Sequence, residues 1–244
     1  MIKFFPIRGI VSSMLHLTFV ESALERVPPS LWSHPSVVKK ARQAGKHPGK
    51  ILLDRTYHHR AMLKLANAAK RGRPDILHFS LLAAFGTPLN KEGLLKTYVH
   101  TVDDHLIHFN PVVRLPKNYN RFVGLIEQLY EQGKVPVKVP TLLKLEQGGF
   151  QKLVEEVQPS YVIAFSRGGR LKLLQKVLDC RKEENLMVVV GAFPRGHFSK
   201  GLLDLADDVV SIDVESLEAW IVASRIIFSY ERALGLPEKR LKKR

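Results

Sequence analysis

Residues 188–201 read VVVGAFPRGHFSKG. Three valines lead into Gly191, and Gly196 follows with four residues between them. A phosphate-binding loop shares this outline, but its G-x-x-x-x-G is followed by lysine and a hydroxyl residue. Here His197 and Phe198 stand in those places. A buried strand that ends in such a loop, without the lysine, points away from a nucleoside triphosphate. It points to a ligand that the backbone itself approaches closely.

The stretch has two counterparts. YVIAFS (161–166) runs into RGGR, and VVSID (209–213) runs into VESL. YVIAF and LMVVV are continuous apolar runs, as expected where both faces of a sheet are covered. Helical segments separate them: GFQKLVEEV before the first, RLKLLQKVLDCR (170–181) after it and KGLLDLA after the second. ESLEAWIVASRIIFSYERALG (215–235) closes the series. Strands alternating with helices predict an α/β layer with a mostly parallel sheet.

Upstream, LHLTFVES (15–22) reads as a strand, SALERV as a short helix stopped by Pro28–Pro29, and 34–45 as a helix ending on Gly45. ILLD (51–54) reads as a short buried strand, 55–72 as one helix and 74–86 as the next. LLKTYVHT (94–101) and HLIHFN (105–110) form a hairpin around VDD. A helix follows over 118–133 with Phe122, Leu125, Ile126 and Leu129 inward, then short extended pieces over 136–147. The chain reads as a single domain over 1–244: a possible extension at 1–13, a basic helical and hairpin lobe at 55–135, a ligand-binding part at 158–236 and a frayed basic tail at 237–244.

Thirty-eight Lys and Arg against 23 Asp and Glu leave the 244-residue chain at +15. Such an excess describes partners rather than fold, and nucleic acid is the first candidate. One cysteine, Cys180, excludes an intrachain disulfide and a cysteine-built metal site. It reads as a packing residue near a helix end and fits a reducing, cytoplasmic setting. No apolar run approaches the roughly 20 residues of a membrane helix.

Ligands of open α/β sheets bind beyond the carboxyl ends of the strands. The loops at 164–170, 190–198 and 211–217 therefore predict one shared pocket. Asp213 and Glu215 give it carboxylates, which suit a cationic ligand carrying adenosine, such as S-adenosylmethionine, better than a triphosphate. In NPVVRLPKNYNRF (110–122), Arg114, Lys117 and Arg121 lie around a short loop with Tyr119 and Phe122 interleaved. Cations neutralise phosphates, and aromatic rings stack on unpaired bases. Arg73 sits at a helix start with Asp75 two residues on, positioned to hold its guanidinium. The closing helix is apolar on most of its circumference, from Leu217, Trp220 and Phe228 round to Ile226 and Ile227. That predicts burial on most sides, either at the centre of the monomer or in a homodimer interface, and the homodimer is favoured because a terminal helix is rarely central. His105 and His108 in HTVDDHLIH point to opposite faces of a strand, and His58 and His59 diverge on a helix. We therefore expect no metal.

Four segments then carry a family resemblance: RPDI-x-H at 73–78, P-L-N-K-x-G at 88–93, NPVVRLPKNYNRFVGL at 110–125 and VVVGAFPRG at 188–196. From about Met14 to Leu236 the chain resembles the ribosome-biogenesis pseudouridine N1-methyltransferases of the SPOUT superfamily, in their archaeal form. The resemblance implies a C-terminal trefoil knot, a homodimer, bound S-adenosylmethionine and a pseudouridine of small-subunit ribosomal RNA as substrate. It implies that Ser166, Gly191 and Gly196 contact the cofactor. It also implies that Ile212, Asp213, Val214, Glu215, Ser216 and Leu217 wrap its adenosine. Arg73, Arg114, Lys117 and Arg121 would hold RNA, with Asp75 supporting Arg73.

There are departures. Phe85-Gly86-Thr87-Pro88 replaces a frequent Leu-Asp-Ser-Pro, and 213–217 replace Ser-Asn-Tyr-Pro-Leu. Lys117 stands where arginine is usual, turning a bidentate contact into a point charge. No catalytic residue is assigned. Asp213, Glu215 and Asp54 are the candidate bases. A non-catalytic RNA-binding assembly factor that keeps the knot is the alternative.

Overall fold

The computed structural model describes residues 13–181 and 185–242. The extension expected at 1–13 thus lies, apart from Ser13, outside the described residues. In chain order the elements are β1 (Met14–Ser22), α1 (Pro35–Ala44), α2 (Arg55–Met62), α3 (Pro74–Phe85), α4 (Pro88–Lys91), β2 (Leu95–Thr101), β3 (His105–Phe109), α5 (Tyr119–Gln132) and β4 (Lys134–Val135). There follow β5 (Leu143–Gln147), α6 (Phe150–Val157), β6 (Tyr161–Leu171), α7 (Leu174–Asp179), β7 (Asn185–Gly191), α8 (Lys200–Leu203), β8 (Asp208–Ser211), α9 (Ala219–Ala233) and α10 (Leu236–Leu241).

The described strands make one sheet in the order β4-β5-β3-β2-β1-β7-β6-β8. From β2 to β8 every pair is parallel, while β3, β5 and β4 add an antiparallel wing. Alternation along the strands sends side chains to opposite faces. Leu15, Leu17 and Phe19 of β1, with Val188 and Val190 of β7, meet α3, α5, α7 and α9 on one face. Val20, Met187 and Val189 meet α6 and α8 on the other. Phe19, Phe122 and Tyr230 are fully buried in the first layer. Each such side chain stabilises the fold by about 1.5–3 kcal/mol. A smaller cluster, with Val37, Leu53 and Met62, joins α1 and α2. Within 55–135, α3, α5, β2 and β3 all contribute to the main core.

Several local expectations are corrected. SALERV is not helical. Its backbone is engaged elsewhere: Ala23 N–H donates to Ala192 O (2.8 Å) and Val27 N–H to Ile51 O (3.0 Å). Residues 51–54 form no strand, only a single bridge between Arg26 and Leu52. The helix over 55–72 stops at Met62, and left-handed Asn67 leads into a 3-10 turn at Ala68–Lys70. The helix over 170–181 begins at Leu174, because Arg170 and Leu171 continue β6 beside β8. The tail is helical as far as Leu241. Cys180 caps α7 and is exposed rather than packed.

Two buried histidines sit under this framework. His16 Nε2 contacts Asn185 Oδ1 at 2.7 Å and Nδ1 contacts the Tyr98 hydroxyl at 3.2 Å. His58 Nδ1 accepts from Asp54 N–H at 3.1 Å. Burial lowers both imidazoles to about 4. The folded state therefore binds fewer protons than the unfolded state between about pH 6.5 and 4, so stability is lost as the pH drops through that window. Urea unfolding should show a loss of up to about 1.4 kcal/mol per pH unit for each histidine. A His16→Gln variant should show the smaller pH dependence.

Candidate functional site

The strand β6 leaves the sheet after Phe165 and rejoins it at Arg170, where both residues pair with Val210. The intervening SRGG loop is pressed onto β8. A Cβ on Gly169 would stand 2.6 Å from Val209 O, with backbone carbons of Val209 and Val210 at 2.7 Å. Arg170 and Lys172 then close on Asp208 at 2.9 and 2.5 Å. This return keeps the end of β6 beside the ends of β7 and β8.

A cavity of about 440 Å³ opens at those ends. Ser166 comes from the first loop, Gly191 and Gly196 from the second, and Ile212, Asp213, Glu215, Ser216 and Leu217 from the third. Val214 is the one expected residue that does not line it, and its side chain is 71% exposed. Phe165, Val190, Leu217 and Val222 supply apolar wall. Gly196 has φ of +115°, a backbone region that side chains rarely adopt.

Sequence reasoning missed three charged lining residues: Arg167, Arg195 and Glu218. The Arg-Gly pairs inside SRGG and PRG were the available signal for the first two. Glu218 lies at the start of α9 and interacts electrostatically with Arg73.

The candidate bases separate clearly. Asp213 accepts from Glu215 N–H (3.1 Å) and pairs with Arg225 (3.3 Å). The Glu215 amide and then Arg225 hold its carboxyl below the ordinary value. Asp54 is buried and does not line the cavity. Its oxygens accept from Thr56 N–H at 2.8 Å and from the Tyr119 hydroxyl at 2.6 Å. Burial, reinforced by Asp54, pushes the Tyr119 phenol far above its usual range.

That bond corrects the reading of Tyr119 as a stacking platform, since its hydroxyl is tied to Asp54. Phe122 is fully buried on the inner face of α5 and cannot stack on a base. The cations beside them match the expectation better. Arg114, Lys117 and Arg121 are exposed, and none has an acidic partner among the described residues. Arg73 holds Asp75 in a two-point pair, Nε–Oδ1 at 2.8 Å and Nη2–Oδ2 at 2.7 Å. His105 and His108 do diverge. The first meets Asp103 (3.2 Å). The second meets Glu146 (3.2 Å) and Glu156 (3.9 Å), a group whose possible ligand atoms lie within 4.8 Å of one another. Lys144 and Lys152 already pair with those carboxylates. On α9, Ala223, Ile226, Ile227 and Tyr230 are buried, while Ile221 and Phe228 remain exposed at 39% and 56%. Burial on most sides therefore does not hold within one chain.

The fold and the cavity define an α/β protein with a small-ligand site across the carboxyl ends of parallel strands. Residues 17–231 match the EMG1/NEP1 methyltransferase family model, and the chain belongs to that family. It is 43% identical over 226 residues to the ribosomal RNA small subunit methyltransferase Nep1 of Thermococcus kodakarensis, covering 91% of this chain and 100% of that one. It is 45% identical over 221 residues to the protein of the same name from Pyrobaculum aerophilum, covering 90% and 99%. Among solved structures, Archaeoglobus fulgidus Nep1 bound to S-adenosylhomocysteine superposes with a TM-score of 0.81 at 37% identity, covering 90% of this chain and 98% of that one.

Because backbone atoms, not a yielding side chain, stand against Gly169, Gly169→Ala should destabilise the fold. The expected loss is about 1–3 kcal/mol in urea unfolding.

Proposed function

We propose that this chain is an S-adenosylmethionine-dependent methyltransferase that acts on N1 of a pseudouridine in small-subunit ribosomal RNA and serves ribosome biogenesis. The observation that carries the reading is the convergence of three sequence-distant loops on one cavity. Family membership adds the chemical class.

The residues fit an S-adenosyl ligand. A volume of about 440 Å³ lies within the range of small-ligand pockets, roughly 300–1,000 Å³. Apolar wall suits an adenine, and the Asp213 and Glu215 carboxylates suit a positive sulfur. Ser166, Gly191, Gly196 and residues 212–217 are assigned to the ligand, Val214 through its backbone. When bound, the cofactor supplies an electrophilic methyl group. The chain's own part is then alignment: it holds two reactants in one geometry and excludes water. Asp213, paired with Arg225, stays ionised and stabilises positive charge. We assign no general base.

Arg73, Arg114, Lys117 and Arg121 are assigned to RNA phosphates, with Asp75 fixing the plane of Arg73. Arg167 and Arg195 add positive charge at the mouth. The basic lobe at 55–135 is a functional surface in this reading, and the part at 158–236 is the knotted cofactor-binding region. The return of β6 beside β8 supports the knot. Exposed Ile221 and Phe228 on α9 support a homodimer. The His108–Glu146–Glu156 group is read as an ion-pair cluster closed by lysines, not as a metal site. Among the described residues no helix is long and apolar enough to cross a membrane, and a cytoplasmic location is consistent with RNA as substrate.

The decisive experiment incubates the protein and S-adenosylmethionine with a pseudouridine-containing RNA stem-loop and examines the RNA by mass spectrometry. One added methyl group is expected on pseudouridine and none on the uridine counterpart. RNA binding without product would instead support the non-catalytic assembly factor. Separately, Gly196→Val forces a β-branched residue into left-handed backbone, a strain of about 1–3 kcal/mol. Calorimetry should show S-adenosylhomocysteine binding weakened by about tenfold or more. Unchanged affinity would remove this loop from the site.

A further inference from the structure

The cavity wall at 191–199 is held from behind by a half-buried ion pair. Ala192 N–H donates to Val20 O (3.2 Å), and Ala23 N–H donates to Ala192 O (2.8 Å). Between these two bonds Glu21 is buried and takes a left-handed φ of 46°. Its Oε1 accepts from Ser199 N–H at 2.8 Å, and its Oε2 accepts from Lys70 Nζ at 2.6 Å. Burial alone would raise this carboxyl, but the Lys70 ammonium and the Ser199 amide outweigh it and hold it below its ordinary value. The Lys70 ammonium also lies 4.4 Å from the centre of the Phe193 ring. Its Cε stands 3.0 Å from where a Cβ on Gly196 would be. One lysine thus braces the loop at Phe193 and Gly196 directly and at Ser199 through Glu21.

The same lysine belongs to the segment that presents Arg73. Arg71, next in sequence, pairs with buried Glu25 through both Nε and Nη2. Arg73 N–H donates to Ala23 O at 3.2 Å. The turn at 20–25 therefore bonds to the cavity loop on one side and to residues 70–73 on the other. Neither Glu21 nor Lys70 lines the cavity.

We infer that Lys70 and Glu21 are positioning residues that clasp the cavity loop to the Arg73 segment and so couple occupation of the cavity to RNA binding. The inference rests on the reading above, in which the cavity holds an S-adenosyl ligand and Arg73 meets RNA. Fixing loop 191–199 through the ligand fixes the Phe193, Gly196 and Ser199 contacts of the clasp, and with them residues 70–73. By linkage the effect is reciprocal: RNA tightens the ligand by the same factor as the ligand tightens RNA.

The test measures affinity for a pseudouridine-containing stem-loop with and without saturating S-adenosylhomocysteine, and affinity for S-adenosylhomocysteine alone. In the unmodified protein the ligand should tighten RNA binding by roughly fivefold or more. Lys70→Met should bring that factor close to one, while each separate affinity changes far less. Lys70→Arg should restore most of it, which a purely structural loss would not. Glu21→Gln should follow Lys70→Met. If Glu21→Gln fails to fold, the two Lys70 variants decide. Full coupling in Lys70→Met, or independent binding in the unmodified protein, overturns the clasp and leaves the site reading intact. Failure of the unmodified protein to bind S-adenosylhomocysteine overturns the site reading, and the clasp with it.

Discussion

The approach of the Gly169 backbone to Val209 and Val210 is the constraint on which the site depends. A side chain there would push the returning end of β6 away from β8. The loop at 166–169 would then no longer arch over the strand ends, and the first wall of the cavity would be lost. The rest follows from sheet geometry. Parallel strands put their carboxyl ends at one edge, both faces of the sheet are covered, and the exposed backbone at that edge is what a ligand can meet.

The positive charge of the chain divides into two populations. Lys70, Arg71 and Arg73 each hold an acidic partner, and they fix the segment on which they lie. Arg114, Lys117 and Arg121 hold none among the described residues and stand in solvent. A net charge of +15 counts these groups alike, yet the second population would meet a polyanion with no carboxylate beside it, whereas Arg73 would do so with Asp75 still bonded to it.

The regular elements were legible because their signals were local. The apolar runs of β6 and β7 and the Asn118 cap and closing Gly133 of α5 are written in adjacent residues. So was the cavity, because three similar loops followed three similar strands. What was illegible depended on distant partners. SALERV has helical composition, but its amides answer Ala192 and Ile51. Tyr119 looked free for a base until Asp54, 65 residues away, took its hydroxyl. Phe122 read both as an inward residue of α5 and as an aromatic interleaved with cations, and its burial decides for the first. Arg167, Arg195 and Glu218 became part of the cavity only when the loops were closed in space.

The position of β1 has a consequence for the order in which the sheet is completed. This first strand lies between β2 and β7, and its pairing across His16 and Asn185 spans 169 residues of chain. During synthesis the amino-terminal strands emerge well before β7 does. The wing β4-β5-β3-β2 can assemble on one side of β1 from neighbouring sequence, while the other edge of β1 stays open to unwanted pairing. The most buried strand is therefore the earliest made, yet it is enclosed only once β7 has been made. The cavity, built entirely from residues past that wing and from α3, is finished only after nearly the whole chain is available.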